Sequence, residues 1–366
     1  MRIALFLGHP AHFHMLKHTA SNLKRDGHQV FFVIKKKDIL ENLCQEAGFE
    51  YSKIRESRSD SKWGLVKSVL GMEWHMLRFI RRNKIEMLVG STLSFAAAKL
   101  ARIPVIAMGE DDAEIVPRYA KMVYPFASAV FSPMACNNGQ WEHKSIKYPG
   151  FQKLTYLHPH WFKADKEIAR RNGINPDEPY FLIRFAKLNA HHDSGVSGIS
   201  TDIARQLVEL LSPHGKIYIT SERALEPEFE QYRLHINPLD IHHVMAFATL
   251  YIGDSQSMAN EAAMLGVPSL RFNDFVGAKK IGVMEEMEKV YGLTYGISSH
   301  EPDQLYAKVE ELLAMPNLRE EFQARRKKML ADKIDVTAFL TWFIENYPAS
   351  AKEAKNADTD FWKQFN

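Results

Sequence analysis

Short apolar runs alternate with longer amphipathic segments from residue 2 to about residue 150. This alternation is typical of βα units around a parallel sheet. Between the first two runs, the segment from His14 to Asp26 has a helical pattern that ends at Gly27, as expected for a right-handed crossover with a glycine cap. The apolar runs predict five strands, at 2–7, 29–34, 86–90, 104–108 and 128–132. This part of the chain therefore predicts one α/β domain.

The same rhythm starts again after residue 165 and predicts a second α/β domain. Its strands are predicted at 180–185, 215–220, 233–236, 249–253 and 268–272, and its helices at 199–212, 240–247 and 257–265. Helical patterns without a further strand follow at 302–314, 317–331 and 335–345. Prolines and a glycine between Tyr148 and Phe162 break periodic structure and indicate an interdomain linker. We expect a first domain at 1–155, a second at 165–332 and C-terminal helices at 333–366 that pack on the first.

Composition narrows the class of protein. The chain has 366 residues, 46% hydrophobic and 25% charged, which is typical of a globular protein of two domains. The net charge of +3 is too weak to indicate a nucleic-acid partner. Cys44 and Cys136 are too few for a disulfide framework or a zinc site, and no apolar run approaches the ~18 residues of a membrane span. We expect a cytoplasmic protein without a metal site or a tightly bound cofactor.

The segment from Tyr251 to Pro268 has the composition of a strand-end ligand loop. A strand ends at Gly253, small polar residues follow, and a helix runs to Gly266. In parallel sheets, ligands bind beyond the carboxyl ends of strands, where helix N-termini offer N–H groups to anions. Phosphates could bind the 255–258 amides while Glu261 accepts ribose hydroxyls. Alternatively, the serines only cap the helix and Glu261 faces water, and spacing alone does not decide.

This segment resembles the nucleotide-binding turn of the non-hydrolysing UDP-N-acetylglucosamine 2-epimerases and of GT-B glycosyltransferases. Their pattern reads Asp-Ser-Gly-Gly-x-Gln-Glu-Glu-Ala followed by Leu-Gly-x-Pro. The matching positions are Asp254, Ser255, Glu261, Ala262, Leu265, Gly266 and Pro268. The departures are Gln256 and Ser257 for the two glycines and Asn260 for the first glutamate. The resemblance implies that Ser255 and its neighbours Gly253, Asp254, Ser257 and Met258 hold phosphate and that Glu261 holds the ribose.

A second resemblance spans nearly the whole chain. Its marks are Gly8-His9-Pro10-Ala11-His12, Tyr148-Pro149-Gly150, Tyr156-Leu157-His158-Pro159, Arg184-Phe185, Asn189-Ala190-His191-His192-Asp193, Ser221-Glu222, Gly253-Asp254 and Glu261-Ala262. By these marks the chain resembles domain of unknown function family 354, found in archaea and bacteria and related to those epimerases. The resemblance implies the GT-B architecture, in which two Rossmann-like parallel-sheet domains face a cleft and C-terminal helices cross back to the first domain. It implies a fold more firmly than a reaction.

Two strand-end loops of the first domain carry candidate catalytic residues. In the loop from Gly8 to His14, Gly8 permits close backbone approach, and His9 and His12 could bind sugar hydroxyls or move a proton, unless they only satisfy backbone groups. After Met108 come four carboxylates, Glu110, Asp111, Asp112 and Glu114. They could act as acid or base, bind sugar hydroxyls or a divalent ion, or merely compensate a helix dipole. Acidic residues after comparable strands act on the sugar in the related epimerases, which makes Glu110 and Asp111 the catalytic candidates.

In the second domain, Arg184 ends the first strand, and Asn189, His191 and His192 follow it. A cation here would neutralise the diphosphate of a leaving group without a metal. The epimerases carry a histidine and arginines in the corresponding loop, and spacing does not distinguish His191 from His192.

The loops of the next strand ends carry weaker signals. Ser221 and Glu222 end the following strand, and in GT-B proteins such loops hold the uracil and ribose. For His242 and His243, an ordinary loop or helix-cap role is at least as good an interpretation.

The stretch at 63–84 combines apolar residues with lysines and arginines. It could be a basic amphipathic helix that docks on anionic lipid, although such a pattern is more often core with a solvated face.

These features favour a glycosyltransferase that uses a UDP-sugar as substrate for cell-surface polysaccharide or glycoconjugate synthesis, with a lipid-linked or glycan acceptor. One alternative is a UDP-sugar 2-epimerase that moves protons with Glu110, Asp111 and His191 or His192. Another is a sugar-nucleotide-binding protein without catalysis.

Overall fold

The computed structural model describes residues 1–35, 38–54, 62–91, 95–186, 198–277 and 281–366. The chain divides into two compact units. Unit 1 consists of Met1–Trp161 and Lys333–Asn366, and unit 2 of Phe162–Asp332. Each unit contains one sheet, and the paired strands in both sheets are parallel.

Unit 1 is built on a seven-stranded sheet with the order β3-β2-β1-β4-β5-β6-β7. Its strands are β1 Arg2–Leu7, β2 Gln29–Lys35, β3 Tyr51–Ile54, β4 Met87–Gly90, β5 Val105–Met108, β6 Ala129–Pro133 and β7 Ser145–Tyr148. The central strands are apolar throughout because helices cover both faces of a parallel sheet, and Ile3 to Leu7 are fully buried. The strand order reverses between β1 and β4, and ligand crevices form at such switch points.

The helices that precede the unit boundary are α1 Pro10–Arg25, α2 Asp38–Glu46, α3 Lys62–Asn83, α4 Phe95–Leu100, α5 Pro117–Val123 and α6 Leu154–Leu157. The prediction that α1 begins at His14 is wrong. The helix begins at Pro10, whose fixed φ suits the first helical position, and His9 caps it. His12 therefore lies within the helix rather than in a loop. The residues of α6 are buried in unit 1, and the chain leaves this unit after Trp161.

Unit 2 has a five-stranded sheet with the order β12-β11-β10-β8-β9. Its strands are β8 Tyr180–Phe185, β9 Lys216–Ser221, β10 Leu250–Gly253, β11 Ser269–Phe272 and β12 Thr294–Ile297. Its helices are α7 Lys166–Arg171, α8 Thr201–Leu211, α9 Ile241–Met245, α10 Gln256–Met264, α11 Gly282–Lys289, α12 Pro302–Leu313 and α13 Leu318–Asp332. The strand predicted at 233–236 is wrong, because this segment makes only one isolated bridge, between Ile219 and Arg233.

The C-terminal helices α14 Val336–Glu345, α15 Ala349–Lys355 and α16 Thr359–Lys363 return to unit 1. Helix α14 packs against α1 and α6, and α15 packs against β7. The ring of Phe339 in α14 stacks on Phe131 in β6 at 5.3 Å between centroids. The predicted class of two parallel-sheet domains with returning C-terminal helices is confirmed. No helix in the described part of the chain combines the length and the apolar character needed to cross a bilayer.

Candidate functional site

The carboxyl end of β10 is closely packed in the centre of the sheet of unit 2. Gly253 pairs with Arg184 of β8 on one side and with Arg271 of β11 on the other. A Cβ atom on Gly253 would lie 2.8 Å from the Cβ of Arg184 and 3.1 Å from its carbonyl oxygen. Only glycine fits there, and the strand ends pack directly beside the turn into α10.

Asp254 anchors three parts of this edge of the sheet. Its carboxylate accepts the N–H of Ala186 at 2.6 Å and the N–H of Ile199 at 3.4 Å. Its carbonyl oxygen accepts from Asn273 Nδ2 at 3.1 Å. The residue is 2% exposed, and burial raises the pKa of the carboxyl to about 6. Asp254, predicted to bind nucleotide, thus ties the end of β8 and the approach to α8 to the turn.

The first turn of α10 lies beside a buried cation. Ser255 caps the helix and accepts the Met258 N–H at 3.5 Å, while Ser257 is exposed. Gln256 Oε1 accepts from the guanidinium of Arg271 at 2.7 Å. Arg271 is 5% exposed and also faces Glu288 at 3.4 Å. An arginine beside a helix N-terminus is an arrangement that favours an anion.

Glu261 lies further along α10 and is buried. Its Oε1 is 3.4 Å from Nε2 of His242 in α9, and the two side chains are 10% and 7% exposed. The interpretation that Glu261 simply faces water is wrong. His242 is in turn in edge contact with the ring of Phe162, with the ring centroids 6.2 Å apart. The carboxylate therefore lies within ion-pair distance of an imidazole that packs against an aromatic ring.

The ends of β8 and β9 are joined by an ion pair between the Arg184 guanidinium and the Glu222 carboxylate. Ser221 forms a local turn, since its hydroxyl donates to the Arg223 carbonyl at 2.7 Å and accepts the Arg223 N–H at 3.1 Å. Arg184 is mostly buried, whereas Glu222 is half exposed. Asn189, His191 and His192 lie outside the described residues.

In unit 1, the two histidines after β1 bind backbone N–H groups. The Gly8 N–H donates to His12 Nδ1 at 3.1 Å, and the Ala11 N–H donates to His9 Nδ1 at 3.2 Å. An acceptor Nδ1 places the proton of a neutral ring on Nε2. Both rings therefore have Nε2–H groups as hydrogen-bond donors, and their centroids are 6.1 Å apart.

Two of the carboxylates after β5, Glu110 and Asp112, have different partners. Glu110 forms a buried ion pair with Lys153, with Oε2 2.5 Å from Nζ and side chains 16% and 6% exposed. Asp112 accepts the Asn137 N–H at 2.6 Å, and Asp111 and Glu114 are exposed.

Glu110 differs from the other carboxylates in its immediate surroundings. Its second oxygen, Oε1, is buried without a hydrogen-bond partner among the residues that the structure describes. Its carbonyl oxygen accepts from the thiol of Cys136 at 2.9 Å, and burial raises the pKa of that thiol. Glu110 therefore has an unused acceptor beside a fixed cation, which suits a proton-transfer group or a binder of hydroxyls.

One group in the described part of the chain could hold a metal ion, with ligand atoms of His158, His160 and Asp335 within 4.8 Å of one another. Its contacts already serve the fold. Asp335 caps α14, accepts Trp161 Nε1–H at 2.8 Å and bonds His160 Nδ1 at 3.0 Å. We therefore interpret this group as a structural set of hydrogen bonds that joins the segment before Phe162 to the start of α14.

Comparisons with known proteins give the fold a context. No protein-family model matches the chain, and no curated protein matches it in sequence. The S. aureus MnaA–UDP co-structure matches with a TM-score of 0.64 at 13% identity over 96% of this chain and 98% of that chain. UDP-GlcNAc 2-epimerase from Neisseria meningitidis, bound to UDP-GlcNAc, matches with a TM-score of 0.62 at 13% identity over 91% of this chain and 99% of that chain. Spinosyn rhamnosyltransferase SpnG, complexed with thymidine diphosphate, matches with a TM-score of 0.64 at 14% identity over 94% of this chain and 100% of that chain.

These likenesses show the fold, which is the GT-B fold of two Rossmann-like units. The chain therefore shares its fold with structures described as a UDP-GlcNAc 2-epimerase and a rhamnosyltransferase. The assignment to family 354 stays a prediction, since no family model matches.

Sequence reasoning missed three features of the site: Lys153, Arg271 and the pairing of His242. Arg271 had a signal, because an arginine inside an apolar strand needs a buried partner. No sequence signal indicated Lys153, since Phe151 and Gln152 before it form no known motif and Glu110 lies 43 residues away in the sequence.

Proposed function

We propose that the protein is an enzyme that acts on a nucleoside-diphosphate sugar, and specifically a glycosyltransferase with a UDP-sugar donor. The observation that carries this proposal is the turn from β10 into α10. A helix N-terminus follows one strand end, with a buried arginine of the neighbouring strand beside it and a buried carboxylate further along the same helix. Whole-chain likeness to structures described as containing UDP, UDP-GlcNAc or thymidine diphosphate supports the same conclusion.

In this proposal, unit 2 holds the nucleotide. The diphosphate binds the amides at 255–257, with Arg271 beside this turn and Arg184 on the adjacent strand. Glu261 accepts ribose hydroxyls, and His242 orients its carboxylate. Because arginines neutralise the leaving group, the proposed mechanism uses no metal ion and no tightly bound cofactor.

Unit 1 supplies the acceptor side in the same scheme. The Nε2–H groups of His9 and His12 donate to sugar or acceptor hydroxyls. Glu110 or Asp111 takes the proton of the attacking hydroxyl. We propose a glycan or lipid-linked acceptor and a role in cell-surface polysaccharide or glycoconjugate synthesis.

A second candidate, a UDP-sugar 2-epimerase, is favoured by one observation. The carboxylate of Glu110 is buried beside Lys153 and has an oxygen without a partner in the described structure, as a base that removes a proton from a sugar carbon requires. In this reaction Glu110 and Asp111 move protons, together with His191 or His192, while UDP is eliminated and added back.

The first experiment is calorimetric titration with UDP, UDP-GlcNAc and thymidine diphosphate. Glu261→Ala should weaken UDP binding by about 1.5–3 kcal/mol, the value of hydrogen bonds to a charged group. Glu209→Ala, which removes an exposed carboxylate of α8, should leave the affinity unchanged. If the protein binds none of these three nucleotides, the proposal is wrong.

Turnover in deuterated water then separates the reactions. Acceptor-dependent release of UDP indicates a glycosyltransferase. Deuterium at the epimerised carbon without an acceptor indicates the epimerase, and binding without either reaction indicates a non-catalytic protein.

A further inference from the structure

Helix α3 has two apolar surfaces, and only one of them is needed for the core. Met72, Met76 and Ile80 are at most 2% exposed and pack into the hydrophobic core of unit 1. Leu70 and Trp74 are 63% and 61% exposed. Packing of α3 on the sheet therefore explains the first set of side chains and leaves the second unexplained.

The exposed pair belongs to a single stripe with basic residues at both ends. Lys67, Leu70, Trp74, Arg78 and Arg81 follow one another in steps of three and four, which places them on one face of a helix. All five are exposed, and we call this face the outer stripe. The acidic residue of α3, Glu73, lies away from this face, because its carboxylate accepts the Ala97 N–H at 2.7 Å.

The surrounding helical layer has the same character. Helices α3, α4 and α5 share one hydrophobic core. They carry five, one and two basic residues respectively, against the single acidic residue Glu73. Of the eight large hydrophobic side chains that are exposed among the described residues, five lie on these helices or directly after α5: Leu70, Trp74, Leu100, Met122 and Phe126. Exposed apolar groups among basic residues are typical of a surface that binds anionic lipid headgroups and enters the bilayer interface.

We propose that the outer stripe docks the protein on an anionic lipid bilayer. Leu70 and Trp74 enter the interface, and Lys67, Arg78 and Arg81 contact lipid phosphates. A bilayer fits better than a second copy of this chain, because a second copy would bring an equally basic layer against the first. The proposal does not depend on the nucleotide-sugar site, and its test uses the protein without nucleotide.

The test is sedimentation of the full chain with vesicles of phosphatidylcholine plus phosphatidylglycerol, compared with phosphatidylcholine alone. We expect binding to the anionic vesicles that weakens as salt is added, because the headgroup attraction is screened. The double variant Leu70→Ser, Trp74→Ser should weaken this binding about tenfold or more, as should Arg78→Gln, Arg81→Gln. The matched controls are Val290→Ser, at a residue 52% exposed in unit 2, and Lys327→Gln, Lys328→Gln on α13, and both should bind as the unchanged protein does.

Each contrary result is distinct. No sedimentation with anionic vesicles at low salt overturns the proposal, as does equal binding by the outer-stripe variants and their controls. Self-association that is lost in Leu70→Ser, Trp74→Ser assigns the stripe to a second copy instead. Thermal unfolding midpoints equal to that of the unchanged protein show that the variants are folded.

Discussion

The ion pair of Glu110 and Lys153 is the most enclosed pairing of opposite charges in the candidate site of unit 1. Both side chains are largely buried, and the two charges are 2.5 Å apart. Removing two charges from water is costly, and the pair is tolerated only while each charge compensates the other. The same arrangement keeps Glu110 fixed where the proposed reaction needs an acceptor of protons.

Replacing Lys153 with Met should therefore destabilise unit 1. The change leaves the carboxylate of Glu110 buried without its cation, which costs about 3–5 kcal/mol. The double variant Glu110→Gln, Lys153→Met should recover most of this loss, because neither charge remains. Denaturant titration of the three proteins measures the effect.

An exposed pair provides the comparison. Lys289 and Glu285 on α11 form an i,i+4 pair with side chains 64% and 36% exposed. Lys289→Met should cost less than about 1 kcal/mol, as is usual for surface pairs. Similar losses in Lys153→Met and Lys289→Met would show that the buried pair has no special role.

Asp254 should make unit 2 less stable as the pH rises. Its carboxyl has a pKa of about 6 in the folded protein, against 3.8 ordinarily. Between these values the folded state binds the proton more strongly than the unfolded state, so raising the pH favours unfolding by up to about 3 kcal/mol. The Asp254→Asn variant lacks this titrating group. Its thermal stability relative to that of the unchanged protein should therefore increase as the pH rises from about 4 to about 6.

The opposite sign is expected at an exposed carboxylate. Hydrogen bonds from Lys166 and Arg170 lower the pKa of Asp177, so its contribution is lost as the pH falls. The Asp177→Asn variant should therefore show its largest loss of thermal stability, relative to the unchanged protein, at neutral pH. Calorimetric midpoints across the pH range measure both variants, and a constant difference for Asp254→Asn would contradict the assigned role of burial.

At the scale of elements, two glycines should respond to alanine in opposite directions. In Gly253→Ala the new methyl group would lie 2.8 Å from the Cβ of Arg184, so β8 and β10 must separate. We expect a loss of about 1–3 kcal/mol, as for other overpacked cores. At Gly71 in α3, no described atom beyond the helix's own backbone lies within 4 Å of the place a methyl group would take, and Gly71→Ala should gain up to about 1 kcal/mol of helix stability. Urea titrations distinguish the two, and a stabilised Gly253→Ala would refute the close packing.

Strand position could be predicted from the sequence wherever a strand is central. The apolar runs located β1, β8 and β10 within one residue at each end, because burial on both faces leaves a continuous apolar signal. The strands that were missed, β3, β7 and β12, each lie at the edge of a sheet. Each of these three has one neighbour and a short, partly polar sequence, as in Tyr51-Ser52-Lys53-Ile54, so periodicity does not separate them from loops.

The candidate site could be predicted only in part for a similar reason. Strand ends and helix starts are local, and they directed attention to Glu110, Ser255 and Glu261. Partners are set by tertiary contacts, and no local pattern connects Asp254 with Ala186 or Ile199, which precede it by 68 and 55 residues. Composition could indicate a basic amphipathic α3, but only burial separates Met76 in the core from the exposed Trp74.

At the scale of the whole molecule, the chain enters unit 2 once and then returns, so unit 1 is completed by residues that follow unit 2 in the sequence. The returning segment contributes core rather than surface. Phe339 is fully buried, and its ring centroid lies 5.3 Å from that of Phe131 and 5.1 Å from those of Trp362 and Phe365. Unit 1 therefore cannot complete its core until residues on both sides of unit 2 are present.

Phe339→Ala should expose this dependence. The loss of a buried phenylalanine costs about 3–5 kcal/mol, and the cost falls on unit 1. Hydrogen exchange measured by mass spectrometry should show faster exchange in β6, β7 and α1 and little change in unit 2. Phe322→Ala removes an equally buried ring from α13 and should produce the reverse pattern. If both variants accelerate exchange equally throughout the chain, the two units unfold as one cooperative body, and the C-terminal helices stabilise the whole protein rather than the unit that contains them.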